Sequence, residues 1–136
     1  MTDIMIRILL ADDYTIIRKG VRQILTQAYP NAEIEEIEEG EEWTEKLKRS
    51  PWDIIISDLP SADRGGWNTL QQIKQDFPGL PVLILSLYTK EHYALRALQA
   101  GASGYLGKDA APDELLWAVR QILSGKKYLA IPSTHN

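Results

Sequence analysis

Short apolar runs alternate along this chain with stretches whose apolar residues recur at three- and four-residue spacing. That alternation signals βαβ units around a mostly parallel sheet. The first strand is predicted at Ile4 to Ala11. A helix follows with Ile17, Val21, Ile24, Leu25 and Ala28 on one face, and Tyr29-Pro30-Asn31 breaks it. A second strand falls near Ile34 to Ile37 and a helix near Glu41 to Lys48, ended by Ser50-Pro51. The third strand is Asp53 to Ser57. A loop of turn residues, Pro60 to Gly66, leads to a helix near Trp67 to Asp76. Phe77-Pro78-Gly79 turns into the fourth strand, Pro81 to Leu85, and the next helix runs from about Lys90 to Ala100. Gly101 stands where a C-terminal glycine cap belongs. A short fifth strand, about Ser103 to Leu106, precedes a last helix from Pro112 or Asp113 to Ser124, stopped by Gly125. Five strand-helix repeats predict an α/β fold, a (βα)5 doubly wound sandwich.

A length of 136 residues fits one domain with a real core. The net charge of −4 argues against a nucleic-acid surface within the chain. Without cysteine, disulfides and thiolate metal sites are excluded. The apolar runs are strand-sized, far short of a membrane span, and Met1-Thr2-Asp3-Ile4 lacks the regions of a signal peptide. A cytoplasmic protein with no membrane partner is the expectation. Glu33 to Glu45 holds eight glutamates; a solvated edge strand and helix face explains them better than a docking face or metal trap. His92 and His135 have no ligand-spaced partner and are expected at the surface. Trp117 lies off the stripe Leu115, Ala118, Val119, Ile122, and Trp43, Trp52 and Trp67 sit near element ends, where packing is expected.

The chemistry gathers at strand ends. Asp12-Asp13 follow the first strand, Asp58 the third, Ser86 the fourth and Lys108 the fifth. In open α/β sheets ligands bind beyond the carboxyl ends of the strands, where the strand order switches. Mg²⁺ favours octahedral oxygen ligands and suits adjacent carboxylates. Three carboxylates at close range repel; one divalent cation and one ammonium balance them. Singly, each residue has a plainer reading: Asp13 as a helix N-cap, Asp58 as a turn aspartate, Lys108 as a surface lysine. All four strand ends being so decorated does not fit those readings.

These residues, with Tyr105 three positions before Lys108 and the string Gly101-Ala102-Ser103-Gly104-Tyr105-Leu106-Gly107-Lys108-Asp109, resemble the receiver domain of two-component response regulators. The resemblance spans residues 4 to about 128. Arg18-Lys19-Gly20-Val21-Arg22, Asp113-Glu114-Leu115-Leu116 and Gly125-Lys126-Lys127-Tyr128-Leu129 are similar to the NarL/FixJ-type subfamily, whose output is LuxR-type. The resemblance implies a flavodoxin-like receiver fold with a five-stranded parallel sheet in the order 2-1-3-4-5. Residues 1–128 would form the receiver and 129–136 the start of a linker or tail. It also implies roles. Asp58 would attack the phosphorus of a phosphohistidine on a sensor histidine kinase. Asp12, Asp13, Asp58 and the backbone carbonyl of Pro60 would hold Mg²⁺. Lys108 and Ser86 would contact the phosphoryl group, and Tyr105 would change rotamer with Ser86. Such a protein is a signalling phosphoacceptor that transfers and loses only its own phosphoryl group, not an enzyme acting on a substrate pool. Homodimerisation on phosphorylation is implied, and DNA would be reached only through a helix-turn-helix domain that nothing in this chain resembles. Ile131-Pro132-Ser133-Thr134-His135-Asn136 looks like the start of the linker to one.

The chain departs from the family in the loop after Asp58. Ala62 and Asp63 stand where a proline and a glycine are usual, and the proline has moved to Pro60. Leu87 stands where a small residue is usual after Ser86, followed by Tyr88. An aspartyl phosphate is hydrolysed by an in-line water, and Pro60, Leu87 and Tyr88 should obstruct it, giving slow self-dephosphorylation. The same departures suit a receiver-like interaction module that works without phosphate. A haloacid dehalogenase-type hydrolase needs a second aspartate two residues after the nucleophile, where Pro60 stands. A flavin binder needs donors in the first loop, where the acids stand.

Overall fold

The computed structural model describes residues 5–11, 14–37, 43–49, 51–58, 66–87 and 91–129. Six strands, β1 (Arg7–Ala11), β2 (Glu33–Glu36), β3 (Ile54–Asp58), β4 (Val82–Ser86), β5 (Gly104–Gly107) and β6 (Tyr128–Leu129), form one sheet in the order β2-β1-β3-β4-β5-β6. Every pairing is parallel. The helices are α1 (Thr15–Ala28), α2 (Trp43–Lys48), α3 (Gly66–Asp76), α4 (Glu91–Gln99) and α5 (Pro112–Leu123).

The central strands are apolar throughout because both sheet faces are covered. Residues alternate between faces along each strand. Ile8, Leu10, Ile54, Ile56, Leu83, Leu85 and Leu106 pack with Val21 and Leu25 of α1 and Leu115, Ala118, Val119 and Ile122 of α5. Leu9, Ile55, Val82, Ile84 and Tyr105 face Leu47 of α2, Leu70 and Ile73 of α3, and Ala94 and Ala97 of α4. Each fully buried Leu or Ile contributes about 1.5–3 kcal/mol relative to exposure. Helices α4 and α5 stop where glycine permits a left-handed turn, at Gly101 (φ 110) and Gly125 (φ 93).

Several sequence expectations change. The sheet has six strands rather than five, because Tyr128–Leu129 pairs in parallel with Gly104 and Tyr105. The domain boundary drawn after residue 128 therefore falls inside a strand. Strands β3 and β4 run one residue further than their apolar runs, because Asp58 pairs with Leu85 and Ser86 with Gly107. Ala28, which shares the apolar face of α1 with Val21 and Leu25 by spacing, is exposed at the helix end. Other readings hold: Trp52 is buried, and Trp117 and His92 are exposed. The side chains of Trp43 and Trp67, and all of His135, lie outside the described residues.

The glutamates of β2 are half-exposed and ion-paired. Glu33 pairs with Arg7, Glu35 with Lys46 at 3.2 Å, and Glu36 with Arg18 at 2.8 Å and Arg22 at 3.2 Å. They fasten the edge strand to β1, α1 and α2, in keeping with a solvated face rather than a metal trap.

Gly104 makes room for β6. A Cβ there would stand 2.7 Å from Ile122 Cδ1, 2.9 Å from Leu83 Cδ1 and 2.9 Å from the Tyr128 carbonyl oxygen. The first two are side-chain ends within a packed core and the third is backbone held in the sheet, so none yields freely. Tyr128 is further tied by its hydroxyl, which donates to Glu114 Oε2 at 3.2 Å. Gly104→Ala should cost about 1–3 kcal/mol by overpacking. Gly79→Ala, whose Cβ meets nothing within 4 Å, should fall within about 0.5 kcal/mol of wild type. Urea denaturation of the two variants measures the difference.

Candidate functional site at the carboxyl end of the sheet

Strand order reverses between β1, which is followed in the chain by β2 on one side, and β3 on the other. Ligands bind at such switch points, beyond the carboxyl ends of the strands. Asp58 is the last residue of β3, Ser86 the last of β4, and Lys108 follows directly on β5. The backbone N–H of Lys108 donates to the carbonyl of Ser86 at 2.9 Å, which fixes the two residues side by side.

The Lys108 ammonium donates to Asp58 Oδ2 at 3.1 Å. Both side chains are buried, 4% and 5% exposed. Neither the turn-aspartate nor the surface-lysine reading survives this: the sheet brings two charged groups from distant strands into one dry contact. Burying charge is costly unless it is paired, and local capping would not need this partner. Ser57 Oγ donates to the Asp58 carbonyl at 3.0 Å, holding the strand end.

Ser86 and Tyr105 come together as expected, 2% and 1% exposed. Burial pushes the Tyr105 phenol above its ordinary pKa, Tyr93 adds to that, and a hydrogen bond with the Ser86 side chain opposes it. The Ser86–Tyr105 contact and the Lys108–Asp58 pair thus lie on neighbouring strand ends, joined by the backbone bond from Lys108 to Ser86.

Asp12, Asp13 and Pro60 lie outside the described residues, as does Tyr88. Ala11, which precedes the acid pair, is the register partner of Ser57, which precedes Asp58. The N-cap position of α1 falls on Tyr14, without a side-chain capping bond. Leu87 is 63% exposed immediately after Ser86, in keeping with bulk beside the site rather than in the core.

One contact was not foreseen. The Tyr14 ring lies over the Lys108 ammonium, 4.4 Å from Nζ to the ring centroid. Its adjacency to the acid pair is the only local signal, and adjacency does not specify a partner.

The described donor set suits a phosphoryl group, and among the described residues no cluster of three metal-ligating side chains occurs. A buried carboxylate supplies oxygen, and an ammonium and a hydroxyl supply donors. No described helix is long and apolar enough to cross a membrane.

The family model described as the response regulator receiver domain matches residues 8–120. Response regulator UvrY of Escherichia coli K12 is 31% identical over 126 residues, covering 93% of this chain and 58% of UvrY. The transcriptional regulatory protein DegU of Brevibacillus brevis is 32% identical over 131 residues, covering 96% of this chain and 56% of DegU. The chain thus spans somewhat more than half the length of these relatives. Among solved structures, a LuxR-family two-component response regulator from Aurantimonas sp. SI85-9A1 superposes with a TM-score of 0.80 at 32% identity, covering 92% of this chain and 89% of that one. The isolated receiver domain of RcsB from Salmonella enterica serovar Typhimurium, solved with the phosphomimetic BeF3⁻, gives a TM-score of 0.78 at 25% identity over 93% of this chain and 94% of that one.

Proposed function

Because this chain belongs to the response regulator receiver domain family and groups with its LuxR-type members, we propose that it takes a phosphoryl group from a sensor histidine kinase onto Asp58. The observation that carries this reading is the buried Lys108–Asp58 contact of 3.1 Å at the switch point of the sheet.

Asp58 Oδ attacks the phosphorus in line. An O–P bond forms, the P–N bond to the donor imidazole breaks, and the imidazole leaves with the electron pair. A carboxylate is a weak nucleophile, so positioning and charge stabilisation carry the rate. Lys108 can shift from the carboxylate to a phosphoryl oxygen, and Ser86 can donate its hydroxyl to another. Asp12, Asp13, Asp58 and the Pro60 carbonyl would hold Mg²⁺. A cation held by these residues would supply charge neutralisation to the transfer.

Ser86 drawn towards the phosphoryl group gives up its contact with Tyr105, and the ring repacks. That local charge event is read out at a distance, through self-association and, in the longer relatives, transcriptional output. The activity is signalling phosphoacceptance with self-dephosphorylation. DNA binding belongs to the part of the relatives that this chain does not span, and a cytoplasmic setting follows from the kinase partner.

Incubation with a small-molecule phosphodonor and Mg²⁺, followed by intact mass, tests the reading. The expected result is a gain of one phosphoryl group, lost when the metal is chelated. No gain under either condition would favour an interaction module that works without phosphate.

A further inference from the structure

Tyr14 occupies the N-cap of α1 in extended conformation, with φ −91 and ψ 112. Its carbonyl accepts the N–H of Arg18 at 3.1 Å, so the first turn of α1 fixes its backbone. Its ring stands over Lys108 Nζ at 4.4 Å, while Asp58 Oδ2 accepts from the same nitrogen at 3.1 Å. Tyr14 is itself 52% exposed, yet the Lys108 side chain is only 4% exposed. The ring is therefore part of what covers the ammonium, and the ammonium has a carboxylate and a π-face for neighbours.

Lysine is a point charge on a flexible four-carbon stem, and its rotamer freedom opposes any single placement. A carboxylate alone would hold it by a directional charge-assisted bond. The aromatic face attracts it through the ring quadrupole, which is tolerant of sideways displacement. Such a neighbour keeps the ammonium at the site while letting it pivot between the carboxylate and a group bound to that carboxylate. We propose that Tyr14 is a positioning residue that holds the Lys108 ammonium at Asp58 and guides its shift towards the phosphoryl group. This rests on the phosphoacceptor reading above for its second half, and on the ring–ammonium geometry alone for its first.

The test uses the whole chain, with lysine side chains labelled for NMR, and four variants: Tyr14→Phe, Tyr14→Leu, Lys108→Met and Tyr14→Leu combined with Lys108→Met. In the wild type and in Tyr14→Phe, the Lys108 ε-methylene protons should be shifted upfield by the ring. In Tyr14→Leu that shift should vanish. With a small phosphodonor and saturating Mg²⁺, uptake by Tyr14→Leu should fall about fourfold, the scale of a cation–π contact at a partly exposed site. Tyr14→Phe should restore it, because the ring rather than the hydroxyl makes the contact. The double variant should fall no further than Lys108→Met alone. No upfield shift in the wild type, unchanged uptake in Tyr14→Leu, or equal losses in Tyr14→Leu and Tyr14→Phe would each overturn the proposal. An intact upfield shift in a wild type that takes up no phosphoryl group would overturn the phosphoacceptor reading instead, and leave the ring as the element that places Lys108.

Discussion

Asp58→Asn should take up no phosphoryl group under conditions that label the wild type. The amide matches the carboxylate in size, so the end of β3 keeps its shape and its pairing with Leu85. What is lost is the chemistry: an amide oxygen carries no negative charge and does not attack phosphorus at a useful rate. The charge partner of Lys108 is lost as well. Far-UV circular dichroism unchanged from wild type would show that the loss is chemical rather than structural, and intact mass reports the uptake. Labelling of Asp58→Asn at the wild-type level would place the acceptor elsewhere.

Lys108→Met should lose both stability and phosphoryl uptake. Methionine replaces the stem and removes the ammonium. It leaves a buried carboxylate, 5% exposed, without the positive partner at 3.1 Å. Breaking a buried pair by removing one partner costs about 3–5 kcal/mol. The urea midpoint should therefore drop in metal-free buffer. If Asp58 shares a cation with the acids after β1, Mg²⁺ should recover part of the loss in Lys108→Met and stabilise the wild type as well, since binding to the native state alone shifts stability by mass action. A variant as stable as wild type in chelator would mean that the pair contributes nothing to the fold.

Much of this architecture was legible because its strands are buried on both faces. Ile54-Ile55-Ile56 and Val82-Leu83-Ile84-Leu85 admit few readings other than central parallel strands. The strand ends were one residue out because ladder pairing, not hydrophobicity, decides where a strand stops. Asp58 and Ser86 are polar and still belong to the sheet. Strand β6 was missed for a related reason: two residues carry no periodicity, and Tyr128-Leu129 reads as easily as a tail. Gly104 held the complementary signal, but a small residue shows its purpose only against the atoms that would meet a Cβ.

The site is legible in the sequence as a set of strand-end residues. Asp58 and Lys108 meet, and Tyr105 and Ser86 are buried together. Tyr14 was not legible as a neighbour of Lys108, since its contact joins the N-cap of α1 to the end of β5 and no local pattern encodes it. The eight glutamates invited a metal reading by number alone. Those on β2 instead face arginines and a lysine supplied by β1, α1 and α2.

The measurement that bears most directly on the central claim is chemical localisation of the phosphoryl group. Borohydride reduces an aspartyl phosphate to homoserine and leaves phosphoserine, phosphotyrosine and free carboxylates unchanged. Wild-type protein treated with phosphodonor and Mg²⁺, then reduced and digested, should yield a peptide carrying homoserine at position 58 and aspartate at every other acidic strand end. Homoserine at another position, or a phosphopeptide without homoserine at 58, would contradict the assignment of Asp58 as the phosphoacceptor.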